Sequence, residues 1–293
     1  MAKQCAGQTR NGKRCSITAS CTLTNTNGRL LAEPLQRGGE YCLVHARPFC
    51  VNRVATERPV VTVFLDLETS GTDVTKDRIV ELAATHVPGD LNAMGSSFST
   101  TVCVPRVILE ESQDAALVHG IADDEIVQGP SFTVAWSRFL HWIDALLNYA
   151  IVEEGASDSD VEEGSLPQIH DHPVLLLAGH NSIGFDFPFL LCEAIRHSLS
   201  TAPFADWLYV DTLHISRCLL PHGCNKLQCI SLRFCVDTGR AHRALDDCLA
   251  LRRVSESMAQ SLDLSLAALL RHFAVEVDLA SSLAQLSVLM DQI

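Results

Sequence analysis

Asp66 and Glu68 stand two residues apart in the segment Phe64-Leu65-Asp66-Leu67-Glu68-Thr69-Ser70-Gly71. Alternate side chains of an extended chain share a face, so this spacing puts both carboxylates on one side and Leu65 and Leu67 on the other. Two carboxylates held side by side repel unless cations lie between them. On its own the pair also fits the wet face of an edge strand. A second group is His180-Asn181-Ser182-Ile183-Gly184-Phe185-Asp186, directly after the apolar run Val174–Ala178. Asp186 falls at the entry to the next helix, where a carboxylate also suits the helix dipole. A third is His242-Arg243-Ala244-Leu245-Asp246-Asp247, in which the small Ala244 permits close backbone approach. Taken singly, His242 fits a helix cap and Asp247 a surface acid. Together, such acids invite cation binding.

The elements that must position these groups follow from the apolar pattern. Val60–Leu67, Arg78–Val87 and Ser96–Val104 are rich in β-branched and apolar residues and predict a three-strand meander, with polar turns at 71–77 and 88–90. Pro130-Ser131 opens a helix with Ser131 as N-cap. Phe132, Trp136, Phe139, Ile143, Leu146 and Leu147 recur at three- and four-residue steps and give it one apolar face. Residues 153–172 hold seven Asp/Glu and no Lys or Arg, and predict a solvated acidic loop. Val174–Ala178 suits a buried strand. Helices are expected over 187–197, 211–219, 226–234 and 243–258, with helical character continuing beyond Ala259. The sum is an α/β layer structure around a mixed sheet.

The three groups, in this order and at this spacing, resemble the DEDDh branch of the DEDD (DnaQ-like) exonuclease superfamily. The likeness rests on FLDLETSG at 64–71, HNSIGFD at 180–186 and AHRALDD at 241–247, with Val118-His119-Gly120-Ile121 between the first two. It extends over residues 60–258, with the acidic loop as an insertion. The resemblance implies a ribonuclease H-like fold with a mixed five-stranded sheet flanked by helices. It implies that Asp66, Glu68, Asp186 and Asp247 bind two Mg²⁺ or Mn²⁺ ions and that His242 is the general base. Four carboxylates and two divalent cations balance in charge, and hard oxygen ligands favour these ions over zinc. Two such ions suit hydrolysis of a phosphodiester, and an imidazole can accept a proton near neutral pH. The implied activity is 3′-to-5′ removal of nucleoside 5′-monophosphates from single-stranded DNA or RNA ends. Thr69 and His119 occupy positions that contact the terminal nucleotide in that family. Asp211 matches a residue we take as structural, and the family spacing selects Asp247 over its neighbour Asp246. Residues 217–253 hold seven Lys/Arg against three acids, enough for local attraction of a phosphate chain or simply for an ordinary helix surface.

The N-terminal segment carries a separate signal. Cys5, Cys15, Cys42 and His45 resemble the ligands of a small zinc module of the form Cys…Gly-x-x-Cys…Tyr-Cys-x-x-His, here in Gly12-Lys13-Arg14-Cys15 and Tyr41-Cys42-Leu43-Val44-His45. Three sulfurs and one imidazole would close a structural tetrahedral Zn²⁺ site. Metal binding worth roughly 10–16 kcal/mol can fold a segment too poor in aliphatics to bury a core. Cys21 and Cys50 are spare ligand candidates, and the cysteines from Cys103 onward are expected to be mostly buried or half-buried thiols. The domain plan is a zinc module over 1–50, a linker over 51–59, the exonuclease domain over 60–258 and a helical extension over 259–293.

Charge and composition bound the alternatives. Residues 1–58 hold nine Lys/Arg against three Asp/Glu, a net +6, so the remainder carries −19 of the overall −13. A body this acidic cannot coat nucleic acid by bulk electrostatics, so any contact must be local. The basic head suits a tether to protein or nucleic acid. Hydrophobic residues make up 47% of the 293, which excludes wholesale disorder. No aliphatic run approaches membrane-spanning length, so no membrane partner is expected. The N-terminus shows no apolar signal, and twelve cysteines without one point to a reducing intracellular setting, nucleus or cytoplasm. Two rivals to an enzyme are a non-catalytic module that holds a nucleic-acid end or partner, and an adaptor working through the zinc head.

Overall fold

The computed structural model describes residues 24–26, 29–31, 51–53, 58–87, 97–157, 172–220, 222–239 and 242–290. The zinc candidates Cys5, Cys15, Cys42 and His45, and the spare Cys21 and Cys50, lie outside the described residues, as does most of the acidic stretch. Thr24–Thr26 (β1) and Arg29–Leu31 (β2) pair antiparallel. The main sheet holds Val51–Arg53 (β3), Val60–Thr69 (β4), Ile79–His86 (β5), Ser97–Thr101 (β6), Val174–Gly179 (β7), Leu208–Asp211 (β8) and Val275–Val277 (β9). Its order is β3-β9-β8-β7-β4-β5-β6. The meander β4-β5-β6 is antiparallel, as expected, whereas β7 joins β4, and β8 joins β7, in parallel.

Strands β4 to β8 make the five-stranded mixed sheet of a ribonuclease H-like fold. Two short strands extend it: β9 pairs antiparallel with β8, and β3 with β9. Val51–Arg53 falls in the segment expected to be a linker. Three residues are too few to show a period, and their strand character comes from the exposed edge of β9. Arg58, further along the same connection, donates from Nε and Nη2 to the carbonyl of His172.

The helices are α1 (Arg106–Glu111), α2 (Gln113–His119), α3 (Asp123–Val127), α4 (Phe132–Ser157), α5 (Asp186–Arg196), α6 (Ala202–Asp206), α7 (Thr212–Leu219), α8 (Leu227–Arg233), α9 (Ala244–Ser261), α10 (Leu266–His272) and α11 (Leu279–Met290). A 3₁₀ turn spans Ser182–Gly184. Helix α4 runs through Ser157 into the stretch expected to be an acidic loop. Glu and Ala are good helix formers, so Glu153, Glu154 and Ala156 prolong the helix rather than end it.

Alternation along the strands sorts the core onto two faces. Val63, Leu65, Leu67, Leu175, Leu177 and Tyr209 pack against Phe132, Trp136, Phe139 and Ile143 of α4 and Phe187, Leu190 and Leu191 of α5. Phe64, Leu176, Ala178 and Val210 point the opposite way, onto Ile215 of α7, Ile230 of α8 and Leu251, Val254 and Met258 of α9. The helical extension beyond Ala259 packs on the body. Leu269, Leu270 and Ala274 belong to the α9 face, and Leu286 of α11 is fully buried on the other. Among the described residues no helix is long and apolar enough to cross a membrane.

Candidate active site

The alternation expected for the first motif holds in β4. Leu65 and Leu67 are 0% and 5% exposed within the α4–α5 core, while Asp66 and Glu68 are half-buried. Because they alternate with those leucines, the two acids share the side of Phe64, over which α9 packs. Across the ladder Asp66 faces Ala83 and Glu68 faces Glu81. Ala83, Ala244 and Cys248 form a small buried cluster. Their modest side chains let the first turn of α9 come down close to β4 and β5, which brings in Asp247, buried at 6% exposure.

Asp186 arrives from the other side of β4. The parallel pairing of β4 with β7 runs only to Phe64 and Ala178. Beyond it the Leu67 N–H donates instead to Asp186 Oδ1 at 3.2 Å. That bond anchors Asp186 to the backbone of the residue lying between Asp66 and Glu68. The approach needs Gly179 at the end of β7, where a Cβ would lie 2.5 Å from Ser182 Cβ and 3.2 Å from the Leu65 carbonyl oxygen. The following Asn181 adopts a left-handed backbone, φ 66°. Its N–H donates to Asp211 Oδ1 at 2.8 Å, and the same oxygen caps α7 by accepting from Leu213 N–H at 3.0 Å. Asp211 thus has the structural part expected of it. His180 also supports the loop: Nε2 donates to the Asn225 carbonyl at 2.8 Å, and Nδ1 lies 3.0 Å from Thr212 Oγ1.

His242 stands just ahead of α9 with φ 68°, a conformation that non-glycine residues seldom adopt. Its N–H donates to Asp247 Oδ2 at 3.1 Å. Ligand atoms of Glu68, His242 and Asp247 all lie within 4.8 Å of one another. Asp247 Oδ1 is buried with no hydrogen-bond partner. A buried, unpartnered carboxylate oxygen costs free energy unless a cation or donor answers it.

Electrostatics ties the four acids into one group. Burial, then the charges of Asp186, Glu68, Asp247 and Glu81, hold Asp66 well above the usual carboxylate range. Burial followed by Asp247, Glu81 and Asp186 raises Glu68 to about 8, with Arg243 opposing. Burial, helped by Asp211, lifts Asp186 to about 7 against the Leu67 N–H. Asp247 is raised by burial against the His242 N–H and imidazole. Oxygen donors crowded like this, with one oxygen orphaned, fit hard divalent cations.

The structure therefore brings Asp66, Glu68, Asp186, His242 and Asp247 together. Thr69 is buried, and its hydroxyl donates to the Gly71 carbonyl at 2.6 Å. His119 closes α2, 5% exposed, with Nδ1 accepting from Ile121 N–H at 3.0 Å. Gly120 behind it takes φ 63°, the left-handed cap that ends the helix. Burial lowers the His119 pKa against the pull of Glu81 and Asp123.

Two further residues escaped sequence reasoning. Glu81 is a buried carboxylate in an apolar strand, and Arg243 is its partner; a charged residue inside Ile79-Val80-Glu81-Leu82-Ala83 was the available signal. The cysteine expectation also needs correcting. Cys192, Cys218 and Cys248 are buried thiols, but Cys103 and Cys235 are exposed. Cys224 and Cys229 are joined in a disulfide with Cα atoms 5.8 Å apart. Their five-residue separation across the start of α8 matches no metal-ligand pattern and so drew no attention.

Residues 63–151 match the family model described as exonuclease (RNase_T). The Arabidopsis thaliana protein named exonuclease DPD1, chloroplastic/mitochondrial, is 27% identical over 233 residues covering 77% of this chain. The chain spans 65% of the length of that relative. In fold, it is similar to the nuclease domain of 3′hExo, a DEDDh family member bound to rAMP, with TM-score 0.51 at 16% identity over 71% of this chain and 95% of that one. It is also similar to E. coli Exonuclease I in complex with a dT13 oligonucleotide, with TM-score 0.50 at 19% identity over 70% of this chain and 42% of that one. The matched segment begins in β4 and holds Asp66 and Glu68, and in fold the chain is similar to these solved exonuclease structures.

Proposed function

We propose that this protein is a metal-dependent 3′-to-5′ exonuclease that removes nucleoside 5′-monophosphates from single-stranded DNA or RNA. One observation carries the reading: acids from β4, α5 and α9 crowd one another beside His242, and buried Asp247 Oδ1 has no partner. Asp66, Glu68, Asp186 and Asp247 would hold a pair of Mg²⁺ or Mn²⁺ ions. Bound there, such ions neutralise the four acids and supply Lewis-acid activation of the attacking water and leaving oxygen. His242 takes the proton of that water. The bond from its own N–H to Asp247 Oδ2, 3.1 Å, keeps the base in register with the carboxylate. His119 and Thr69 line the terminal-nucleotide side, where the buried His119 is held neutral by its surroundings and can donate from Nε2.

The test is release of mononucleotide from a 3′-labelled oligonucleotide in Mg²⁺ or Mn²⁺, run beside a 5′-labelled copy to fix the direction. Loss of release in Asp66→Ala and His242→Ala supports the reading, and unchanged release in either moves the chemistry elsewhere. Matched DNA and RNA substrates read out the sugar preference. In the head of the chain we propose a structural zinc on Cys5, Cys15, Cys42 and His45, serving as a basic tether. Metal analysis of the full chain should find about one zinc per molecule. The zinc should be lost in Cys42→Ser and His45→Ala, and a stoichiometry near zero ends that assignment. Twelve cysteines support an intracellular site, nucleus or cytoplasm, which imaging of a tagged full chain checks.

A further inference from the structure

Glu81 sits directly across the ladder from Glu68, with its side chain 2% exposed. A fifth buried carboxylate beside four others would either join them as a ligand or add to their repulsion. Its charge does add to theirs, but the chain occupies both of its oxygens. Oε1 accepts from Arg243 Nη2 at 2.8 Å and from Nε at 3.2 Å. Oε2 accepts from the Ala244 N–H at 2.9 Å and lies 3.3 Å from Arg243 Nε. The Ala244 N–H is one of the donors a helix N-terminus leaves without an internal partner. The N-cap residue, Arg243, supplies no side-chain cap, so a carboxylate from β5 does that work. Arg243 Nη2 also reaches Glu125 Oε1 of α3 at 3.2 Å. One guanidinium thus pins the start of α9 to β5 and to α3.

His242 immediately precedes this anchor. Its left-handed backbone costs roughly 1–2 kcal/mol and persists only where the surroundings hold it. It is tied on one side through its own N–H to Asp247, and on the other through the next residue to Glu81. We infer that Glu81 and Arg243, braced by Glu125, form a latch of positioning residues that hold the His242 imidazole and the Asp247 carboxylate in working register with Glu68. The inference rests on the exonuclease reading. It assigns the buried fifth acid to geometry rather than to ion binding. A guanidinium is suited to this, because its planar fork engages a carboxylate through two donors where an ammonium offers one point of charge.

The full chain provides the test, with steady-state release from a 3′-labelled oligonucleotide in Mn²⁺ and a melting curve for every variant. Arg243→Ala should lower kcat about 10–100-fold, the range for residues that orient a catalytic group from behind, and leave KM nearly unchanged. Arg243→Lys should recover little of it. The Arg243 side chain is 33% exposed, so millimolar guanidinium should reach the vacated position and restore part of kcat in Arg243→Ala, but not in His242→Ala. A merely structural loss would not respond in that way, since guanidinium weakens folds. Glu81→Gln, which retains the shape, should lose kcat likewise, and the double variant Glu81→Gln/Arg243→Ala should lose less than the product of the two single effects. Wild-type kcat in Arg243→Lys, or a loss in Arg243→Ala that guanidinium does not repair, overturns the latch. If Arg243→Ala does not fold, Glu81→Gln and Arg243→Lys decide the matter. An inactive wild type sinks the exonuclease reading itself, whereas an active wild type with unaffected latch variants sinks only the latch.

Discussion

Two buried acidic regions of this molecule are built from the same residue types and resolved in opposite ways. In α5, Glu193 is as buried as Asp186, but its charge is answered by the chain. Arg196 Nη1 pairs with Oε1, and His197 Nε2 lies 3.2 Å from Oε2. Arg196 Nη2 goes on to donate to the carbonyls of Val74 and Thr75 at 3.2 and 2.9 Å, fastening the turn after β4. Burial still raises the Glu193 pKa, and Arg196 is the first charge to pull it back. Around Asp66 the first charges met are other carboxylates. Arg243, whose guanidinium bears on neighbouring Glu68, is engaged by Glu81 and Glu125. A buried acid with resident cations is a finished structural joint. A cluster of buried acids that raise one another is a site completed from outside.

The largest effect that could break this contrast is neutralisation within the cluster. Glu68→Gln should lower exonuclease turnover on the order of 10³-fold, comparable to the loss of a key electrostatic contact in an active site. The same substitution should raise the melting temperature of the metal-free protein, because it removes a carboxylate that its neighbours repel. The pair of measurements, turnover in Mn²⁺ and melting in chelator, is decisive. A variant that loses both activity and stability would mean that Glu68 holds the fold together and that the crowding carries no functional meaning.

The joint in α5 should behave in the reverse sense. Arg196→Ala strands a carboxylate that is 3% exposed, and removing one partner of a buried pair costs about 3–5 kcal/mol. Denaturant unfolding should show that loss while kcat at a permissive temperature stays at the wild-type level. A fall in kcat in the folded variant would tie the turn after β4 to catalysis and erase the distinction between the two regions.

How far these regions could be read in the sequence depended on the range of the interaction. Alternation along Val60–Leu67 puts Asp66 and Glu68 opposite Leu65 and Leu67, and the structure keeps that arrangement. Period and capping likewise located α4, α5 and α9 to within a few residues. The short helices α1 to α3 escaped notice because five to seven residues cannot display a helical period. Strands β3 and β9 escaped because three residues become a strand only where an edge awaits them. The partnership of Glu81 with Arg243 spans 162 positions and leaves no local trace beyond one charged residue in an apolar strand. The same holds for Asp211, whose cap on α7 is local but whose hold on Asn181 reaches back 30 residues.

The smallest effect sharpens the contrast through pH. A carboxylate with a higher pKa in the folded chain than in the unfolded one binds its proton more tightly when folded. Its contribution to stability is therefore complete below the unfolded pKa and is lost as pH rises through the folded one. For Glu68 that window runs from 4.5 to about 8, and for Asp186 from 3.8 to about 7. The metal-free protein should accordingly melt at progressively lower temperature as the pH climbs through this window. Added Mn²⁺ should raise the melting temperature by a few degrees, and more at the alkaline end, where the acids have already shed the protons that a cation must displace. Glu68→Gln should flatten the metal-free slope, whereas Arg196→Ala should lower the whole curve and leave the Mn²⁺ response in place. A metal-free melting temperature that stays level across the window would show that the four acids ionise independently, and the basis for calling this region open to an outside cation would be gone.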